Sequence, residues 1–477
     1  MRRYGMRREW ALVMGCLFAV ACGEAMGVDA GVLDSSAPDA GSTDAGSTDA
    51  GTTDAGTTDA GLLDAGLLDA GLTDAGLTDA GLTDAGLTDA GPTDAGPFMC
   101  GALSADGTVL VADPDASSAV RSIVWNGRHY AVVWLELRST SPTLFKMMFA
   151  LVTDDGAVVP GSRHEVFPSD PGSHGSASLA VGDGIYGLTY RRADETGLTA
   201  TSRARFVRLD ADGFPLDLGV QISDPDVGYA GDTSVAWSSE TRQWAAAWMS
   251  TEALGAGFIN RHVRVTRLSE GGTILDVSGE LDALTTGSFR DERAIVWTGD
   301  RFAVGMTEFV SVTNNRVSVV ELDDALAVAR RIIVENRGRP SGPGLVVAGS
   351  SYGVMWENLV TGGPNRTRFR AAAIGGDPLG AVVEVGPDTG SSQGAIVGGA
   401  HFRVVSHQMA AGSQVAVMQT FGVDGGALGG PRRLFEAGSF SFSRVASDGC
   451  NDAVLHTDSL VAPSDIRVHL AAGTAAP

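Results

Sequence analysis

From Cys100 to the C-terminus, apolar and polar residues alternate in short runs broken by Gly, Asp and Asn. This is the period of two expected of half-buried strands, not the 3.6-residue spacing of helices. Aligned with itself, the chain repeats one core seven times: SIVWNGRHYAVVWLE (122–136), SLAVGDGIYGLTYRR (178–192), SVAWSSETRQWAAAWM (234–249), AIVWTGDRFAVGMTE (294–308), GLVVAGSSYGVMWE (344–357), AIVGGAHFRVVSH (395–407) and RVASDGCNDAVLH (444–456). Each copy reads as a strand, a tight turn and a second strand. An aromatic residue opens the second strand at Tyr130, Tyr186, Trp244, Phe302, Tyr352 and Phe402, at spacings of 56, 58, 58, 50 and 50 residues. Every Trp except Trp10 lies inside a copy.

Between copies the pattern predicts a third strand, such as RFVRLD (205–210) or HVRVTRL (262–268), then a turn and a fourth strand. The turns carry Asp155-Gly156, Asp212-Gly213, Gly271-Gly272, Gly376-Asp377 and Asp424-Gly425, pairs suited to two-residue hairpin loops whose central residues need positive φ. Four antiparallel strands every fifty-odd residues match a β-propeller blade, whereas tandem sandwiches need about seven strands per unit. The last copy is followed by only one more strand, DIRVHLAA (465–472), while a spare turn and strand, LSADGTVLVAD (103–113), precede the first. The expectation is an all-β, seven-bladed propeller over 98–477 whose N-terminal strand completes the last blade and closes the ring.

The chain ahead of residue 98 follows other rules. MRRYGMRREWALVMGCLFAVACGE has four Arg before Glu9 and then an apolar run from Ala11 to Ala21, too short to cross a bilayer. A basic segment followed by a short apolar one is a secretion signal. Its end, FAVAC, resembles the lipobox of bacterial lipoproteins, with Ala19 and Ala21 at small-residue positions before Cys22, the expected lipid-attachment residue; the usual Leu three before the Cys is missing. Residues 1–22 are therefore read as a lipoprotein signal peptide. Residues 23–97 are read as a disordered linker of Asp-Ala-Gly repeats, with an Asp at every fifth position from Asp29 to Asp94, fourteen in all. Gly, Ala, Ser, Thr and Asp offer too little apolar surface to offset chain entropy. A pentapeptide β-helix is the rival reading, but Leu is missing from the central position of about half the repeats, too few for stacked coils.

Charge and residue chemistry narrow the function classes. The formal net charge is −23, and the linker's fourteen Asp carry much of it. Lys146 is the only Lys, and beyond the extreme N-terminus the Arg are dispersed, so no basic run exists there to hold nucleic acid. Four Cys, at 16, 22, 100 and 450, form no CxxC pair for zinc. Two GxSxG strings, around Ser351 and Ser392, lack the strand–helix setting of a nucleophile elbow and are read as chance. Glu136, Glu308 and Glu357 end the second strands of their copies, and Glu308 and Glu357 belong to adjacent copies. They are the candidates for paired acid–base carboxylates on the funnel face. The plainer reading, a strand-end carboxylate holding a nearby amide or Arg, is preferred. His407 and His456 occupy matching positions in the last two copies, but two His make a weak metal site, and neither metal nor cofactor is expected.

The combination of an Asp-Ala-Gly linker with these repeats resembles predicted propeller lipoproteins of myxobacteria across the whole chain. The resemblance implies architecture and no activity. The reading is a lipid-anchored binding or scaffolding module of the cell envelope, at the outer membrane and acting as a monomer. Its unknown protein, peptide or glycan ligand would meet the loops at 191–203 and 249–261. A propeller enzyme acting on glycans or other polymers is the alternative. With Cys16 removed and Cys22 acylated, Cys100 and Cys450 are expected to form a disulfide clamping the ring's seam.

Overall fold

The computed structural model describes residues 107–111, 118–140, 142–193, 201–225, 229–253, 259–282, 287–288, 293–311, 314–360, 363, 365–387, 394–410, 413–437, 443–458 and 465–472, all within the unit Gly91–Pro477. Every regular element among them is a β-strand. Sheet pairing groups the strands in fours, in chain order. The first unit holds Ser118–Trp125, His129–Thr140, Thr143–Thr153 and His164–Glu165, paired antiparallel in that order. The second begins at Ser173–Val181, the third at Tyr229–Ser238, and the fifth at Pro340–Ala348. In the fourth the first strand is split into Gly287–Ser288 and Ile295–Trp297. Only one parallel pair, Tyr229 with Ser202, joins the sheets of the second and third units. The sixth unit starts at Ala395–Val397. The seventh has three strands of its own, Ser443–Ser447, Asn451–Asp458 and Asp465–Ala472, and Gly107–Leu110 pairs antiparallel with the last of them.

The first strand of each unit touches the first strand of the next, and Ser118–Trp125 touches Ser443–Ser447. Four-stranded sheets arranged with their first strands innermost make this a β-propeller. Alternation along each second strand feeds two cores at once. Even steps from the opening aromatic face the preceding unit, and odd steps face the following one. Thus Tyr352, Val354 and Trp356 pack with Val317 and Val319, whereas Met355 packs with Ile396 and Phe402. Val120, Ile123, Tyr130 and Trp134 share a core with Ala446, Leu455 and Val468. The aromatic hydroxyls add polar ties to the preceding unit. Tyr130 donates to Asn451 O at 3.2 Å and Tyr352 to Glu321 at 3.1 Å, while Tyr186 accepts from Asn126 Nδ2 at 2.5 Å.

Near the axis a second set of bonds runs from unit to unit. Leu179 N donates to Ser122 Oγ (3.1 Å), Thr233 Oγ1 to Ser176 O (3.3 Å), Ala294 N to Ser234 Oγ (2.9 Å) and Leu345 N to Arg293 O (2.8 Å). Gly394 N donates to Glu357 Oε1 (3.3 Å), Ser443 Oγ bonds His407 Nε2 (3.1 Å), and Arg444 Nε donates to Arg121 O (3.0 Å).

The turns between third and fourth strands differ from the two-residue loops expected. In the first unit Thr153 N bonds Ala157 O and Gly156 N bonds Thr153 O, enclosing three residues with only Gly156 at positive φ (90°). Gly213, Gly272 and Gly425 take the same place in other units. At 374–376 the positive φ falls on Gly375, not in the Gly376-Asp377 pair. The loops ending at Gly156, Gly213, Gly272 and Gly425 are three-residue loops closed by one left-handed glycine, which fits the twist of the hairpin as well as a two-residue loop does.

Candidate functional site

The strand-end carboxylates fall into two groups once each is counted from its aromatic. Glu136 and Glu308 stand six residues after Tyr130 and Phe302, but Glu357 stands five after Tyr352. With a period of two, that single step turns the side chain to the other face of the sheet. Glu308 faces the third unit, and Glu357 faces the sixth. The candidate pairing of Glu308 with Glu357, suggested by their strand-end positions, is therefore not formed: two sheets stand between their carboxylates.

Each carboxylate is instead part of a local tie. Glu308 is completely buried, and its Oε2 accepts from Arg316 Nε and Ser318 Oγ, both at 2.6 Å, while Oε1 accepts from Arg331 Nη1 at 2.7 Å. Arg316 lies directly across from Glu308 on the third strand, so strand register sets this pair. Lys146 stands in the same relation to Glu136, 3.2 Å from its Oε2, and Oε1 accepts from Trp134 Nε1 (2.9 Å) and Arg163 Nη2 (3.2 Å). Glu357 accepts the amide of Gly394, on the first strand of the next unit. The preferred reading of these residues as structural acceptors agrees with this geometry.

His407 sits five residues after Phe402 and faces the seventh unit; His456 faces the sixth. The two come into the same inter-unit space, but not from matching positions. His407 stands five residues after Phe402 and His456 four after Asp452, and that one-residue difference turns them toward each other. A third, His469, joins them from the neighbouring strand. Sequence reasoning missed His469, because strand pairing alone brings it alongside. Asp452 takes the place of the opening aromatic here, and His456 the place held by Trp134, Trp248 and Trp356 in other units. Asp452 pairs with Arg403 at 2.6 Å. Phe435 stacks on His456 with ring centres 4.0 Å apart and leans on His469 at 4.9 Å. Burial lowers the His456 pKa to about 3, and the neighbouring His469, His407 and Arg467 push the same way. Burial also raises the Asp452 carboxyl, with Arg403 opposing. Among the described residues no three His, Cys, Asp or Glu are arranged to hold a metal ion.

Ser351 opens the second strand of the fifth unit, with Ser351 paired to Ala348 across the hairpin and no helix following. Cys450 is disulfide-bonded, in the turn before Asn451–Asp458. Cys16, Cys22, Cys100, Ser392 and the 23–97 linker lie outside the described residues, as do 194–200 and 254–258 from the two candidate loops. The flanks of those loops are strand, Tyr186–Ala193 and Ser202–Leu209 in one unit and Gln243–Ala253 and Ile259–Ser269 in the next. No helix among the described residues is long and apolar enough to cross a membrane.

The fold's class is thus a β-propeller with inter-sheet polar ties. No protein-family model and no curated protein matches the chain. Among solved structures it is similar to a protein of unknown function from Dyadobacter fermentans, at 12% identity over 63% of this chain and 95% of that one, with a TM-score of 0.46. The Hadza microbial sialidase Hz136 is similar at 10% identity over 69% and 73% of the two chains, TM-score 0.45. The phage phi92 endosialidase is similar at 8% identity over 78% and 70%, TM-score 0.45.

Proposed function

We propose that this chain is a secreted, lipid-anchored, seven-bladed β-propeller that serves as a binding or scaffolding module at the cell envelope. The closed ring is supported by the contact of Ser118–Trp125 with Ser443–Ser447, the core shared by Tyr130 and Leu455, and the pairing of Gly107–Leu110 with the last strand. Lipidation at Cys22, residence at the outer membrane and a flexible 23–97 tether rest on the signal-like N-terminus, the FAVAC sequence and the resemblance to predicted myxobacterial lipoproteins. Cys100 is the proposed partner of Cys450, since Cys16 would leave with the signal and Cys22 would carry the lipid.

One observation carries binding over catalysis: the strand-end acids considered for acid–base work are held in local ties, with Glu308 held by two Arg and a Ser while Glu357 faces away from it. Loops at the ends of the sheets are free to vary while the strands hold them in place, and such loops bind partners on many scaffolds. The test uses purified protein with isolated peptidoglycan and lipopolysaccharide. Retention on one polymer without new reducing ends is the expected result. Release of reducing ends would replace this reading with the polymer-cleaving enzyme. Membrane fractionation checks the anchor separately: Cys22→Ala should leave the outer-membrane fraction, and unchanged fractionation would refute lipidation there.

A further inference from the structure

The geometry points to a docking patch for anionic lipid headgroups at the corner of units four and five, built from Phe309, Val310, Arg337 and Arg339. It lies outside the candidate loops of units two and three. The second strands bury most of their apolar residues, but Phe302–Ser311 carries two near its end that stay exposed, Phe309 (37%) and Val310 (48%). The register against Asn314–Leu322 shifts between Phe309 and Ser311, so Val310 occupies a bulge. A bulge interrupts the alternation of a strand and re-aims its side chains. Here two consecutive apolar groups reach solvent at the end of a hairpin.

Beside this hairpin end runs the connection from Val328–Glu335 to Pro340–Ala348, only four residues long. Asn314 Nδ2 donates to Asn336 O (3.0 Å), Asn315 N to Gly338 O (2.9 Å) and Asn315 Nδ2 to Pro340 O (3.4 Å). From unit five, Leu359 N donates to Arg339 O (3.0 Å). Gly338 has φ at 78°, and a Cβ there would lie 2.7 Å from Asn358 Oδ1. The connection is thus braced from both units, and a braced loop loses little entropy on binding. Arg337 and Arg339 are exposed, and among the described residues neither side chain has a hydrogen bond or ion pair. Glu335, the nearest carboxylate in sequence, turns its Oε1 to the amides of Asn336 (2.8 Å) and Arg337 (3.0 Å). Arg316 and Arg331 of the same unit are, by contrast, held by Glu308.

Two uncommitted guanidinium groups beside an aromatic and an aliphatic side chain match a bilayer interface. That interface presents phosphates at headgroup depth and acyl chains just beneath them. Arg337 and Arg339 meet the phosphates in paired N–H···O bonds, and Phe309 and Val310 enter the apolar layer. An acidic polymer would satisfy the arginines but leave the apolar pair in water. A net charge of −23 opposes general adsorption to an anionic surface, so binding must come from a local patch such as this one.

The test sediments the full chain, carrying Cys22→Ala so that no lipid is attached there, with phosphatidylglycerol vesicles and with phosphatidylcholine vesicles. Binding to the first should exceed binding to the second and should fall with added salt. Arg337→Gln and Arg339→Gln should each weaken it about fivefold, and Phe309→Ser should weaken it several-fold, at unchanged Tm. The leader and linker are the same in every variant, so they cancel in these comparisons. Phosphatidylglycerol vesicles should also slow amide exchange at 309–311 and 336–339. Unaltered affinity in the double Arg variant would overturn the patch. Exchange at those segments that is indifferent to the vesicles would overturn it too, and that readout on the parent chain decides if a variant does not fold. Sensitivity to the arginines without sensitivity to Phe309→Ser would overturn the bilayer assignment in favour of an acidic macromolecule. Neither acylation nor an envelope polymer enters these measurements, so their outcome is separate from that of the reading above.

Discussion

Gly213 shows how one position serves two units. It closes its turn at φ 89°, and a Cβ there would collide with the ring of Phe149 in the preceding unit. Gly213→Ala should cost about 2–3 kcal/mol, from left-handed strain plus overpacking, measured by urea unfolding. Leu326 takes the equivalent place in the fourth unit at φ 58° and is buried, so there the chain accepts backbone strain and gains apolar packing. Glu308 is a second case of shared duty. Glu308→Gln keeps the side chain's shape but leaves Arg316 and Arg331 without their carboxylate. A loss of about 2–4 kcal/mol is expected in the same assay, where a loss under 0.5 kcal/mol would show that the ties contribute little.

The elements were largely readable in advance because strands announce themselves by alternation, and all seven copies fold as the hairpins their patterns describe. Side-chain direction was readable only when counted from a structural landmark. Aligning Glu308 and Glu357 by strand end put them on one face, and counting from the aromatic separates them. The space between the sixth and seventh units has its own chemistry, because His456 stands where Trp134, Trp248 and Trp356 stand in other units. Below pH 6.5 the unfolded chain protonates His456, while the fold resists until about pH 3. The unfolded state therefore binds more protons in that window, and stability falls as pH drops through it, by up to about tenfold in the unfolding constant per pH unit. Asp452, raised by burial, acts in the opposite direction, so wild type must be compared with a variant that retains it. His456→Phe, which keeps the stack on Phe435, should flatten the acid limb between pH 6.5 and 3. Parallel pH profiles for the two proteins would refute this role.

At the scale of the molecule, stability is expected to depend on where the chain is cut. A chain beginning at Pro97 should melt within a few degrees of the full-length protein, because the removed repeats offer little surface to bury. A chain beginning at Ser118 also lacks Gly107–Leu110 and exposes the edge of Asp465–Ala472. It should melt well below the longer one and self-associate, read by calorimetry and light scattering. Peptide mapping without reductant should recover Cys450 joined to Cys100; Cys450 joined to another cysteine would refute the seam clamp.

The sequence by itself determined the strands, the period of four, and the need for a borrowed strand, because each follows from local alternation and from counting along the chain. Only the tertiary structure decided which side chains meet. His469 beside His456, Arg331 on Glu308 and Arg293 near Ile123 are encounters between residues from 13 to 170 positions apart. Such encounters depend on strand register and on which face of a sheet meets its neighbour, and a shift of one residue reverses every side chain.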